Sequence, residues 1–217
     1  MGACCRVWLV LAGVLALIAA GVALAASPLP LWQRVLLGGE YKGFDPQPIP
    51  PVQLTLPRFT QETKGSFVRI TPPILTREMR QDGYRAAVIE QLAGPKKRSF
   101  AISAVLRFGS VAGAARAMSF FYDDSLRPCP ETCTVSAFVV QVPGIPGAKG
   151  SRRVRFKAAG TKPGQEAYEG YSILFTSGPF AYAVLSNADP NGVDRADLIA
   201  AAKRLYDRVK GSPPVGP

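Results

Sequence analysis

The longest apolar stretch of the chain runs from Val7 to Ala26 and contains no charged side chain. A helix of that length extends about 30 Å, which matches the hydrocarbon core of a bilayer. The pattern therefore predicts an N-terminal hydrophobic helix within residues 1–26, through which the chain meets the membrane.

Two fates of this segment fit the residues around it. Ala23-Leu24-Ala25 matches the small-residue pattern of a signal-peptide cleavage site, with the cut before Ala26. An uncleaved anchor is favoured by the length of the run, and by Trp32 and Arg34 just beyond it, because such residues commonly lie at the membrane interface. We expect an anchor with the C-terminal domain outside the cytoplasm, and secretion after cleavage is the alternative.

Downstream, apolar and polar residues alternate with a period of two in two blocks, and each block predicts a β-hairpin. The first hairpin is expected over Tyr84–Ala93 and Ser99–Phe108, with a turn at Gly94. The second is expected over Glu166–Thr176 and Pro179–Asn187. Two further strands, Thr134–Val142 and Arg152–Lys157, are expected between the blocks.

A helical period follows each hairpin. Ser110 is placed to cap a helix from Val111 to about Tyr122, and a second helix is expected from about Val193 to Lys210. The fold class predicted is α+β, with an antiparallel sheet built from two hairpin–helix units and the helices packed on one face.

The proline-rich stretch before the hairpins predicts a tether over residues 27–58, because prolines at that density favour an extended spacer. The alternative is an arm packed on the domain, with Val52 and Leu54 paired to a sheet edge. The folded extracytoplasmic domain is expected over residues 59–211, and a disordered tail over residues 212–217.

Composition narrows the function. The formal net charge is +11, which favours acidic partners, and the chain contains no histidine. The missing histidine excludes a Ser-His-Asp or Cys-His nucleophile and any imidazole-ligated metal. We expect no enzyme activity, no cofactor and no metal site. Anionic lipid or a cell-wall polymer is the expected acidic partner, rather than nucleic acid.

One cysteine pair invites a chemical interpretation. Cys129 and Cys133 are the only cysteines outside the N-terminal segment, and a close pair in an oxidising compartment predicts a disulfide. The loop is also similar to the CPxxC-type loop of thioredoxin-like copper chaperones, which implies an exported thiol-redox or copper-handling protein. Those chaperones use a histidine that this chain lacks, so the disulfide is favoured.

A basic segment follows the cysteine loop. In an extended strand, Arg153, Arg155 and Lys157 share one face, while Val154 and Phe156 share the other. We expect Arg152, Arg153, Arg155 and Lys157 to bind an anionic surface. The alternative is a charged edge strand that blocks unwanted sheet pairing.

The pattern as a whole resembles small exported domains of actinobacterial lipoproteins and membrane-tethered sensor proteins. The resemblance is carried by AVLRFGSVAGAARAMSFF, the cysteine loop, VPGIPGAKG, ILFTSGPFAYAVLS and DLIAAAKRLYDRV, within roughly residues 80–210. It implies a membrane-tethered extracytoplasmic binding or sensing module without catalytic activity.

Overall fold

The structure is a computed structural model that describes residues 28–48, 51–64, 70–95, 99–127, 134–156, 168–188 and 192–212. Its centre is an eight-stranded sheet with the order β1-β3-β4-β8-β7-β6-β5, and β2 pairs separately with β3. Every strand pair is antiparallel. The predicted α+β class with an antiparallel sheet is confirmed.

The strands and helices are numbered in chain order. The strands are β1 Asp45–Pro46, β2 Val52–Leu54, β3 Tyr84–Ala93, β4 Phe100–Phe108, β5 Thr134–Val140, β6 Lys149–Phe156, β7 Tyr168–Ser177 and β8 Phe180–Ala188. The α-helices are α1 Leu56–Glu62, α2 Pro72–Gln81, α3 Val111–Ser125 and α4 Arg195–Val209, and a 3-10 helix spans Leu31–Arg34.

Local chemistry fixes the ends of the main elements. The turn between β7 and β8 contains Gly178 at a φ of 57°, a conformation that costs other residues more than glycine. Ser110 caps α3 by accepting a hydrogen bond from the Gly113 amide, as the sequence predicts. Asp194 caps α4 in the same way through its carboxylate. The two hairpin–helix units therefore form within a few residues of the predicted bounds.

The helices cover both faces of the sheet, so their predicted placement on one face needs correction. The α4 face carries Val105 of β4, Phe175 of β7 and Leu198 of α4, among other core residues. The α3 face carries Leu106 of β4 and residues of α1, α2 and α3. Strands β3, β4 and β8 are central and buried on both sides, and a two-residue alternation does not tell which face receives a helix.

Residues 28–58 belong to the folded domain in the ranges that the structure describes, instead of forming the expected tether. Val35, Leu36, Tyr41 and Phe44 are buried in the core of the α4 face. Strands β1 and β2 pair with β3, so Pro46 lies at the edge of the sheet, where a missing amide donor costs little.

A network of arginines holds this segment to the sheet and to α4. The Arg34 guanidinium is fully buried, lies 4.1 Å from the centre of the Phe180 ring and donates to the Tyr182 hydroxyl at 3.0 Å. Arg208 of α4 donates to both carboxylate oxygens of Glu40, at 3.0 and 2.7 Å. The residues that follow the hydrophobic stretch are therefore fastened to the last helix of the chain.

Several sequence-based expectations fall outside the described residues. These include the hydrophobic helix Val7–Ala26 and nearly all of the tail expected over residues 212–217. Of the helices that the structure does describe, none combines the length and hydropathy needed to cross a bilayer.

One buried carboxylate in β3 makes stability depend on pH. Glu90 is only 5% exposed, and burial raises its pKa. A raised folded-state pKa means that this group contributes stability below its unfolded pKa, and that the contribution is lost as the pH rises through the folded value. We expect Glu90→Gln to raise the midpoint of thermal unfolding at pH 7 and to leave it unchanged near pH 4.

The matched control for Glu90 is Glu62→Gln, because Glu62 is half exposed and pairs with Arg58 at the surface. This change should have little effect at either pH. Differential scanning calorimetry of both variants at the two pH values makes the comparison. A Glu90→Gln variant that is less stable than the parent at pH 7 contradicts the expectation.

Candidate functional site

The register of β6 and β7 brings three polar side chains together on the α4 face. Arg152 lies opposite Tyr171, and Val154 lies opposite Glu169, so Arg152, Tyr171 and Glu169 share one face. The Glu169 carboxylate accepts hydrogen bonds from Arg152 Nε and from the Tyr171 hydroxyl, the second at 2.8 Å. Glu169 is buried, and these two donors supply what a buried carboxylate requires.

Two aromatic rings flank the Arg152 guanidinium. Its central carbon lies 5.9 Å from the ring centre of Phe138 and 5.9 Å from that of Tyr171. This is the distance range of cation–π attraction, so the rings and the carboxylate together fix the arginine. Phe138 remains 49% exposed beside the arginine, which leaves part of an apolar ring open to solvent.

The protonation states of the cluster follow from these contacts. The hydrogen bond to Glu169 raises the pKa of Arg152, so the guanidinium stays charged. Burial, followed by the hydrogen bond to Glu169, raises the pKa of Tyr171, so its hydroxyl stays protonated and donates. At neutral pH the cluster therefore combines a cation with a neutral phenol around an acceptor.

Helix α4 begins beside this cluster. Its cap Asp194 accepts hydrogen bonds from the amides of Ala196 and Asp197, at 2.7 and 3.3 Å. Arg195 donates to the Gln141 carbonyl at 3.2 Å, which ties the start of α4 to the chain that follows β5. The helix start thus forms the second wall of a cleft above the sheet.

The cleft has a volume of about 480 Å³ and is lined by Arg152, Glu169, Tyr171, Val193, Asp194 and Arg195. Two arginines face two carboxylates, so the formal charges of the walls balance. A groove of similar volume, about 490 Å³, lies along α2 alone and is mostly apolar. Only the first combines a buried, fixed polar cluster with walls from separate elements, which is typical of ligand sites.

Arg152 and Arg153 lie on opposite faces of β6. Arg153 points to the α3 face, where its Nε donates to the Ser125 carbonyl at 2.7 Å and its guanidinium pairs with the buried Asp124 at 3.6 Å. A cation at the last carbonyls of a helix is a favourable arrangement, so Arg153 fastens β6 to the end of α3.

The remaining predicted site residues are outside the described part of the structure. Cys129, Cys133 and Lys157 lie outside it, and the side chain of Arg155 does too. The disulfide, its redox or copper alternative, and the binding of an anionic surface by the basic segment all stay predictions.

Sequence reasoning picked Arg152 but missed its partners. Every second residue of β7 shares one face, and on this face Glu169 and Tyr171 come before Ile173 and Phe175. The sequence therefore places a polar pair at one end of an otherwise apolar face. That signal was present in the sequence. It identifies a site only when the register of β6 against β7 is known, because the register selects Arg152 as the neighbour.

Comparisons with known proteins give the fold. No family model and no curated protein matches the chain. The extracellular domain of PknH from Mycobacterium tuberculosis is similar, with a TM-score of 0.52, 14% identity, and coverage of 85% of this chain and 98% of that one. An uncharacterized protein from Mycobacterium smegmatis, the Rv0999 ortholog, has a TM-score of 0.43 and 11% identity over 77% of this chain and 90% of its own.

The PknH domain comes from a mycobacterium, and mycobacteria are actinobacteria. At 14% identity the likeness to the PknH domain extends to the fold, and not to particular side chains. The chain therefore shares its architecture with an extracellular domain of an actinobacterial protein.

Proposed function

We propose that the chain is an extracytoplasmic binding or sensing module, without catalysis, that residues 7–26 hold at the membrane. Its fold is shared with an extracellular domain, which supports a place outside the cytoplasm. Its apolar N-terminal stretch has the length of a membrane span, which supports an anchor. The cleft between β6, β7 and the start of α4 is the ligand site.

The observation that carries this proposal is the fixed cluster of Arg152, Glu169 and Tyr171 at the base of the cleft. Ligand sites commonly contain a few precisely placed polar groups that fix the orientation of the ligand. Here the buried carboxylate orients both donors, because it accepts a hydrogen bond from each. Burying and orienting these three side chains costs free energy. Ligand binding explains why the cluster is there, whereas exposed surface charges would not need such an arrangement.

The chemistry of the walls favours an uncharged, polar ligand with a ring. Charged groups of both signs balance, so a strongly anionic or cationic ligand gains no net attraction. Arginine and tyrosine nitrogens and oxygens offer hydrogen bonds, and the half-exposed Phe138 offers an apolar ring surface at the edge. Neutral sugars have this combination of hydroxyl groups and an apolar ring face.

Calorimetric titration of the full chain in detergent tests the site. The probes are galactose, arabinose and N-acetylglucosamine, with inorganic phosphate and citrate as anionic comparators. We expect a neutral sugar to bind with a Kd below about 1 mM, and phosphate and citrate to bind more weakly. Arg152→Met should weaken sugar binding about tenfold or more, because it removes a charged hydrogen-bond donor and breaks the ion pair with the buried Glu169.

Arg77→Met is the matched control for Arg152→Met. Arg77 is also partly exposed and also pairs with a glutamate, Glu78, but it belongs to α2 on the other face of the sheet. Its replacement should leave sugar binding unchanged. Tyr171→Phe, which removes only the hydroxyl, separates a lost hydrogen bond from a disturbed fold. Preference for the anions, or equal effects of the two arginine changes, contradicts the proposed site.

A further inference from the structure

The domain begins almost at the end of the hydrophobic stretch. Three residue steps separate Ala26 from Leu29, and a chain of that length spans at most about 10 Å. The Leu29 carbonyl accepts a hydrogen bond from Arg34 Nε at 3.0 Å, and Leu29 packs on the core of the α4 face. If residues 7–26 remain in the membrane, this side of the domain has to lie close to the lipid headgroups.

The surface at that side carries exposed apolar residues. Trp32 is 52% exposed and Leu37 is 37% exposed, although Arg34, Val35 and Leu36 between them are buried. Tryptophan is enriched at membrane–water interfaces, because its ring is apolar and its indole nitrogen remains hydrated. Both side chains belong to the segment that follows the hydrophobic stretch.

Basic side chains of α4 contact the backbone of the segment that contains Trp32 and Leu37. Arg204 donates to the Glu40 carbonyl at 2.6 Å, and Lys42 pairs with Asp197 at 3.8 Å, so α4 lies alongside this segment. Residues 37–42 and 197–210 together contain five basic and three acidic side chains. Lys42 and Lys210 are well exposed, with side-chain exposures of 81% and 55%. The net charge of these two stretches is therefore positive.

We propose that this anchor-side surface, defined as Trp32, Leu37, Lys42, Arg204 and Lys210, rests on the anionic lipid headgroups of the membrane that holds residues 7–26. The inference relies on the membrane anchor of the proposed function. Clustered basic residues are attracted to anionic lipid, and tryptophan at the headgroup level adds an apolar contact. The arrangement holds the domain in one orientation on the membrane.

Fluorescence quenching tests this contact in the full chain. The chain has two tryptophans, so Trp8→Phe leaves Trp32 as the only reporter. The protein is reconstituted in phosphatidylcholine vesicles with and without 30% phosphatidylglycerol, each containing lipid that carries a quencher just below the headgroup. We expect Trp32 to be quenched strongly in the anionic vesicles and weakly in the neutral ones.

A second reporter provides the positional control. Phe138 is about as exposed as Trp32 but borders the sugar cleft. A chain with Trp8→Phe, Trp32→Phe and Phe138→Trp should show little quenching in either vesicle. Equal quenching of the two reporters, or equal quenching of Trp32 in neutral and anionic vesicles, overturns the docking proposal.

Charge variants identify the basic residues that contribute to docking on anionic lipid. Lys42→Gln and Lys210→Gln should each lower the ratio of docked to undocked domain about fivefold. Arg58→Gln, at an exposed position on the other face of the sheet, should leave this ratio unchanged.

Flotation of the chain with the vesicles tests the membrane anchor separately from the docking. A chain that does not float overturns the anchor and this docking together, whereas a chain that floats without Trp32 quenching overturns only the docking.

Discussion

Arg208→Met is expected to lower the free energy of unfolding by about 3 kcal/mol. Arg208 donates to both oxygens of Glu40 and, beyond this pair, to the carbonyls of Gln33 and Val35, the latter at 2.8 Å. Methionine retains the apolar part of the side chain and removes every donor. A partly buried carboxylate and two carbonyls then lose their partner, and this loss dominates the cost.

Urea unfolding of the purified chain, followed by circular dichroism, measures this effect. The control is Lys203→Met, which removes a basic residue from the same helix. Lys203 pairs with Asp207, but both side chains are substantially exposed, so a change below about 0.5 kcal/mol is expected.

A double variant tests the pairing itself. Arg208→Met combined with Glu40→Gln should lower the free energy of unfolding by less than the sum of the single changes. Each single change leaves the other side chain without its partner, and the double change does not. Strict additivity, or a Lys203→Met variant as unstable as Arg208→Met, contradicts this account of the network.

Gly113→Ala is expected to destabilise the protein by about 2–3 kcal/mol, although helix propensity alone predicts a gain of about 1 kcal/mol. Gly113 lies in the first turn of α3, and a Cβ atom there would stand 2.1 Å from the Asp82 carbonyl oxygen. That oxygen belongs to the backbone of the turn between α2 and β3, so it cannot rotate away as a side chain does. Either the turn or the helix has to shift.

The same turn is fixed from its other side. Asp82 is buried and accepts a hydrogen bond from Arg116 of α3 at 2.7 Å, so displacing the turn also strains this pair. Thermal unfolding of Gly113→Ala is compared with that of Val111→Ala, which lies in the same turn and is exposed. The exposed change should alter stability by less than about 0.5 kcal/mol. A Gly113→Ala variant more stable than the parent would show that propensity outweighs packing at this position.

Local sequence patterns were sufficient for the hairpins and the two long helices. The alternation of β8 and the glycine turn before it place the second hairpin within about two residues, because both signals are local. Likewise, Leu198, Ala202, Leu205 and Val209 are buried on one side of α4, as the helical period predicts.

Local sequence patterns could not predict the features that depend on contacts between residues far apart in the chain. Residues 28–44 have no clear period, and their burial depends on contacts with α4 at the other end of the chain. In β4 the larger apolar residues, such as Leu106 and Phe108, lie on one face of the strand. Ala101 and Val105 on the other face are equally buried, because helices cover both faces of the sheet. The cleft requires the register of β6 against β7, which no single strand encodes.

The contact between the first described segment and the last helix determines when this protein can finish folding. The Arg208–Val35 hydrogen bond joins residues 173 positions apart, so the layer that contains both is complete only after nearly the whole chain has been synthesised. Until then Val35, Leu36, Tyr41 and Phe44 lack the apolar surface of α4. Residues 35–44 are synthesised long before α4 and must therefore wait for it, open to chaperones and proteases.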